Sequence, residues 1–118
     1  MEQKFDVEFL PEAVAFIEGL DTKAREKVLY NIRKAQFSND PELLKKLTDT
    51  IWEFRTLYSR TNYRIFAFWQ KTGNRQSLVL TTHGLIKKTG KTPLGDLEKA
   101  ERIRQTYLKQ NSDGNKKA

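Results

Sequence analysis

Cysteine is absent from this chain, and histidine occurs once, at His83. The first absence excludes a disulfide framework and any zinc site built on thiolates. A single histidine among scattered acids gives no metal-ligand spacing, so the expectation is no metal and no other cofactor. Glycine is sparse, and Gly84 and Gly90 stand in none of the recognised phosphate-cradling loops. No serine or threonine stands in a nucleophile motif. No apolar run approaches the roughly 20 residues that a membrane-spanning helix requires. The opening MEQKFDVEF has neither the basic start nor the apolar middle of a secretory leader. Cytoplasmic residence with no membrane partner is therefore expected.

What is present is a polar chain of 118 residues, 37% hydrophobic, which suits one domain with a small core. Its net charge is +7, unevenly divided. Residues 1–50 carry 8 Lys/Arg against 10 Asp/Glu, and residues 51–118 carry 14 against 5. A basic half of +9 fits a polyanionic partner, most often nucleic acid; a solubilising surface is the bland alternative.

The coarse pattern begins with a strand. In KFDVEFL, Phe5, Val7 and Phe9 alternate with Asp6 and Glu8. Pro11 opens a first helix, and Ala13, Phe16, Ile17 and Leu20 give its apolar spacing up to a stop near Gly19. Asp21 or Thr22 caps a second helix with Ala24, Val28, Ile32 and Ala35 on one face. Asp40-Pro41 reads as a helical restart that packs Leu43, Leu44 and Leu47 inward.

Three strands follow: Ile51–Tyr58, Tyr63–Gln70 and Gln76–His83, with turns at Ser59–Asn62 and Thr72–Asn74. Leu78-Val79-Leu80 is continuously apolar, as in a strand buried on both faces. Residues 84–92 read as a basic loop, and Thr92-Pro93 as the cap and first turn of a last helix. Its stripe is Leu94, Leu97, Ala100, Ile103 and Tyr107. The order β-α-α-β-β-β-α makes an α+β domain over residues 1–110, with helices on a mostly antiparallel four-stranded sheet. Residues 111–118 read as a disordered polar tail.

Candidate chemistry gathers in residues 52–92. Pairing Tyr58 with Tyr63 across the hairpin makes Arg55 and Arg64 diagonal neighbours on one surface. Something negative must separate them: Glu53 on the same face, or a phosphate, for which guanidinium forks are well suited. Arg64 lies in an apolar strand, where a charge needs a partner. His83, at a strand end, is a candidate proton shuttle, against the commoner role of structural hydrogen-bonder. Lys87 and Lys88 can hold an RNA backbone or stabilise a phosphorane, against the alternative of a solvated loop. Tyr58 and Tyr63 can stack on bases, or simply pack at strand ends. Trp52, Phe66, Phe68 and Trp69 read as core.

WEFR at Trp52–Arg55, NYRIFAF at Asn62–Phe68 and LTTHGLIKKTGKTP at Leu80–Pro93, followed by a helix containing Ala100, resemble the RelE/HigB toxin superfamily. The likeness is to its phage-derived branch. The resemblance implies a microbial-RNase-like sheet and the toxin of a type II toxin–antitoxin pair. Such a toxin is a metal-independent endoribonuclease that cleaves mRNA in the ribosomal A site by 2′-hydroxyl attack on the adjacent phosphate. It implies a helix-turn-helix antitoxin as partner, with operator DNA met only through that antitoxin. Carried over by position, Arg64 takes the scissile phosphate, and Arg55 polarises the nucleophile or binds the neighbouring phosphate. His83 gives or takes a proton, while Lys87 and Lys88 contact the RNA backbone. Leu85 stands where the branch often has Phe. The alternative is a degenerate relative that binds RNA or an antitoxin without cleaving.

Overall fold

The structure, a computed structural model, describes residues 2–72, 76–87 and 92–117, with the side chains of 71, 72, 76, 77 and 112–117 excepted. Lys88 and Lys91 lie outside the described residues. The elements are β1 (Phe5–Phe9), α1 (Pro11–Glu18), α2 (Thr22–Ala35), β2 (Leu44–Lys46), β3 (Trp52–Tyr58), β4 (Thr61–Thr72), β5 (Gln76–Lys87) and α3 (Leu94–Lys117). Helix α3 is thus assigned past Asn111, where the apolar stripe ends.

The sheet has five strands, not four, in the order β1-β5-β4-β3-β2. It is mixed: β1 runs parallel to β5, and the other neighbours are antiparallel. The additional strand is β2, which replaces the helix expected after Pro41. The Asp40 carboxylate accepts from the Glu42 N–H, and its carbonyl accepts from Leu43 and Leu44, which closes a single turn. Leu44–Lys46 then pair with Trp52–Phe54 and cover the edge of β3. So short a segment gains more from that ladder than from one helical turn, whose nucleation is unfavourable.

Two apolar clusters lie on opposite faces of the sheet. On one face α1 and α2 bring Ile17, Ala24, Val28 and Ile32 against Phe54, Tyr63, Ile65, Ala67 and Val79. On the other, α3 brings Leu97, Ala100 and Tyr107 against Ile51, Phe66, Phe68 and Leu80. Val79 and Leu80 are both fully buried, one in each cluster, as the continuous apolar run requires. Asp21 caps α2 by accepting from the Ala24 N–H at 2.9 Å.

Two irregularities set the geometry of the α3 face. The β3–β4 hairpin turns on Ser59 and Arg60 alone, both with positive φ (51° and 64°), a tight turn of the primed kind. Tyr58 therefore pairs with Thr61, not Tyr63, and Arg55 lies directly opposite Arg64. This register differs from the expected one by two residues. Side chains alternate with period two, so their faces are unchanged.

The second irregularity is a bulge between β4 and β5. Ile65 pairs with Gly84 but Ala67 pairs with Thr81, so Thr82 and His83 together oppose Phe66. The extra residue resets the alternation of β5. Leu85 and Lys87 consequently share the α3 face with Leu80. Gly84 turns to the other face, where a Cβ would come within 2.3 Å of the Phe16 ring.

Candidate nucleic-acid site

On the α3 face, strand pairing builds the site in rows. Glu53 stands opposite Phe66, Arg55 opposite Arg64 and Arg64 opposite Leu85, and Leu57, Asn62 and Lys87 follow along one line. Glu53 is almost wholly buried, at 1% exposure, and anchors the group. One carboxylate oxygen accepts from Arg64 Nη1 at 2.5 Å and lies 3.6 Å from Arg55 Nε. The other accepts from the Thr92 hydroxyl at 3.2 Å. Thr92 therefore ties the start of α3 to the sheet; its hydroxyl is turned to Glu53 and not to the helix end.

Three cations, Arg55, Arg64 and Lys87, thus gather around one carboxylate. Arg64 is buried, whereas the Arg55 side chain is 30% exposed. Arg64 Nε is buried without a partner among the described residues. Lys87 is not on a loop but on the last turn of β5's pleat, and it is buried. Burial and the neighbouring Arg64 charge, with a smaller push from Arg55, lower its pKa below the usual lysine value; Glu53 pulls the other way. Excess positive charge held away from water favours an incoming anion.

His83 occupies a different place. It is not at a strand end but in the β5 bulge, with its ring stacked on Phe66 at 4.8 Å between centroids. Its Nδ1 meets the Thr82 hydroxyl and its Nε2 meets an Asp96 oxygen, both at 3.1 Å. Burial lowers its pKa below the ordinary value, against the Asp96 hydrogen bond, and Lys99 adds to the lowering. Lys99 in turn pairs with Glu12 at 2.7 Å. His83 therefore joins β5 to the first turn of α3, with both ring nitrogens engaged.

The expected aromatic platform is not assembled here either. Tyr63 is buried in the cluster under α1 and α2, and Tyr58 packs against that same cluster. Both lie on the face opposite Arg55 and Arg64. The geometry brings together Arg55, Arg64 and Lys87, leaves His83 beside them in a separate polar link, and keeps Tyr58 and Tyr63 apart. Sequence reasoning missed Asp96, which reads only as an acid in the first turn of a helix. It also missed Thr92's contact with Glu53.

A cavity of about 460 Å³ lies between the start of α1 and α3, bordered by Leu10, Thr82, Ile103 and Tyr107. None of the three converging cations lines it. Among the described residues no cluster of His, Cys, Asp or Glu is placed to hold a metal ion. Among those residues, too, no helix is long and apolar enough to cross a membrane.

The family model for phage-derived Gp49-like proteins (DUF891) matches residues 15–105, from α1 into α3, and so takes in all three cations. No curated protein matches the chain significantly.

Proposed function

Because the chain belongs to the Gp49-like phage-derived family, a RelE/HigB-like toxin family, we propose that it is a toxin that cleaves mRNA as an endoribonuclease. The observation that carries the reading is the convergence of Arg55, Arg64 and Lys87 over one sheet face around the buried Glu53. Arg55 and Arg64 share the single carboxylate of Glu53, and an RNA phosphate would bring a second anion to them. In this reaction the substrate's 2′-hydroxyl gives up its proton to solvent water as its oxygen bonds to the adjacent phosphorus, and the P–O5′ bond breaks, leaving a 2′,3′-cyclic phosphate. Arg64 and Arg55 hold the phosphate oxygens as charge builds on them. Lys87, an ammonium made more acidic by its surroundings, donates the proton to the departing O5′. That assigns to Lys87 the proton transfer that the motif alone suggests for His83, whose nitrogens are both occupied.

A toxin of this family implies a cognate antitoxin, which we take to be a helix-turn-helix protein that carries the pair to operator DNA. The ribosomal A site is the proposed place of cleavage. A second reading, a non-cleaving module that binds RNA or the antitoxin, draws support from the sequestration of His83.

The test is induced expression, scored by growth and by mapping mRNA 5′ ends. New ends within codons are expected. They should fall by about 10²-fold or more in Arg55→Ala, the loss typical of removing one transition-state donor. Arg55 is the variant of choice because it is partly exposed, and its unfolding curve should match the wild type. Growth arrest with intact mRNA selects the non-cleaving reading, and ends unchanged in Arg55→Ala overturn the proposed centre. Purified 70S ribosomes added to a cleavage assay decide ribosome dependence.

A further inference from the structure

Beside the two guanidiniums, on the hairpin side away from Glu53, is a cleft of about 200 Å³ lined by Glu42, Arg55, Thr56, Leu57, Asn62 and Arg64. Its chemistry differs from that of the cation centre. Leu57 is 66% exposed, a large apolar side chain on the same face as Arg55. Asn62 is its cross-strand partner, and the side-chain carboxamide of Asn62 hydrogen-bonds no other described residue. Glu42 stands on the far side, carried by the turn whose next residue, Leu43, accepts from the Arg55 N–H at 2.9 Å. The Glu42 carboxylate is exposed and pairs with no described cation. A carboxylate, an amide and an apolar floor therefore border one recess beside a phosphate-sized cationic centre.

We propose that this cleft is a base subsite that selects guanine in the nucleotide held by Arg55, Arg64 and Lys87. The placement of the phosphate rests on the RNA reading given above. From β4 to β2 is two strand spacings, roughly 10 Å, a span suited to a nucleotide reaching from its phosphate to the far edge of its base. The base lies over Leu57 and presents its Watson–Crick edge to Glu42, as unstacked bases in single-stranded RNA do to the proteins that read them. Guanine offers two adjacent donors, N1–H and N2–H, that match the two oxygens of a carboxylate. Its neighbouring O6 accepts from the Asn62 amide or from Arg55. Uracil offers one donor between two carbonyls that a carboxylate repels. Adenine and cytosine each set their amino donor beside a ring acceptor.

The test uses the purified full chain and guanosine and uridine 3′-monophosphates, followed by NMR shifts of the Asn62 amide and by calorimetry. The guanosine nucleotide should bind about tenfold or more tightly, the discrimination of one bidentate pair. Glu42→Gln and Asn62→Ala should each erode that preference while leaving inorganic phosphate binding unchanged. Equal affinity for the two nucleotides, or a preference that survives both substitutions, overturns the subsite. The mapped mRNA ends separate the two claims. Ends without neighbouring guanine enrichment sink the subsite and leave the nuclease standing. Guanosine preference in a protein that never cuts mRNA sinks the nuclease and leaves the subsite.

Discussion

Arg55 and Arg64 face one another directly across β3 and β4, and the same Glu53 oxygen answers both. Two guanidiniums opposed on a sheet would repel. Their shared carboxylate holds them together, and its burial keeps water from weakening the contact. The cation centre therefore exists before any RNA arrives, organised from beneath by an acid and open on the hairpin side.

Glu53→Gln tests that arrangement. The substitution leaves Arg64 buried with no counter-charge, and breaking a buried pair in this way costs about 3–5 kcal/mol. Urea denaturation should show a loss of that size. Replacing Arg64 together with Glu53 by apolar residues should restore much of it, because both charges then go. A Glu53→Gln chain as stable as the wild type would mean that Glu53 does not hold Arg64 in solution.

His83 carries a pH dependence of defined sign. Its folded-state pKa is lowered, chiefly by burial, from the ordinary value near 6.5. Between that lowered value and 6.5 the unfolded chain binds a proton that the folded chain refuses, so stability falls as pH drops. Above that window this contribution is fully present. The denaturant midpoint should fall from about pH 7 to about pH 5.5, and should fall less in His83→Gln. The carboxylates of Asp96 and Glu12 and the Lys99 ammonium face the ring and are common to both proteins. Parallel curves would show that Asp96 offsets the cost of charging the ring.

Much of the fold was legible because it follows from period. The helical stripes of α1 and α2, the alternation of β1 and the apolar run of β5 each placed their element. Arg55, Arg64 and Glu53 were placed on one face because a two-residue error in hairpin register cannot change a side chain's face. The bulge is a different matter. Lys87 and Leu80 differ by an odd number, so strict alternation sends them to opposite faces, yet one extra residue near His83 brings them together. No residue type announces that insertion. The same blindness misplaced His83, whose ring is fixed by Phe66 and Asp96, partners that adjoin it only after folding. β2 is not legible because Asp40-Pro41 is a good helix start, and only the open edge of β3 decides between a turn and a helix.

Gly84 offers the sharpest test of how the bulge is held. The Phe16 ring of α1 lies so close that a Cβ would come within 2.3 Å of it. The demand is for space, since an alanine there meets a ring and not a wall of backbone. Gly84→Ala should destabilise by about 1–3 kcal/mol, the usual cost of overpacking. Phe16→Leu removes the obstructing ring, so the two substitutions should couple in a double-mutant cycle, the second recovering part of what the first loses. A Gly84→Ala change costing under about 0.5 kcal/mol would mean that the ring swings aside freely. In that case α1 does not pin β5, and the position of Lys87 over the arginines depends on the β4 ladder alone.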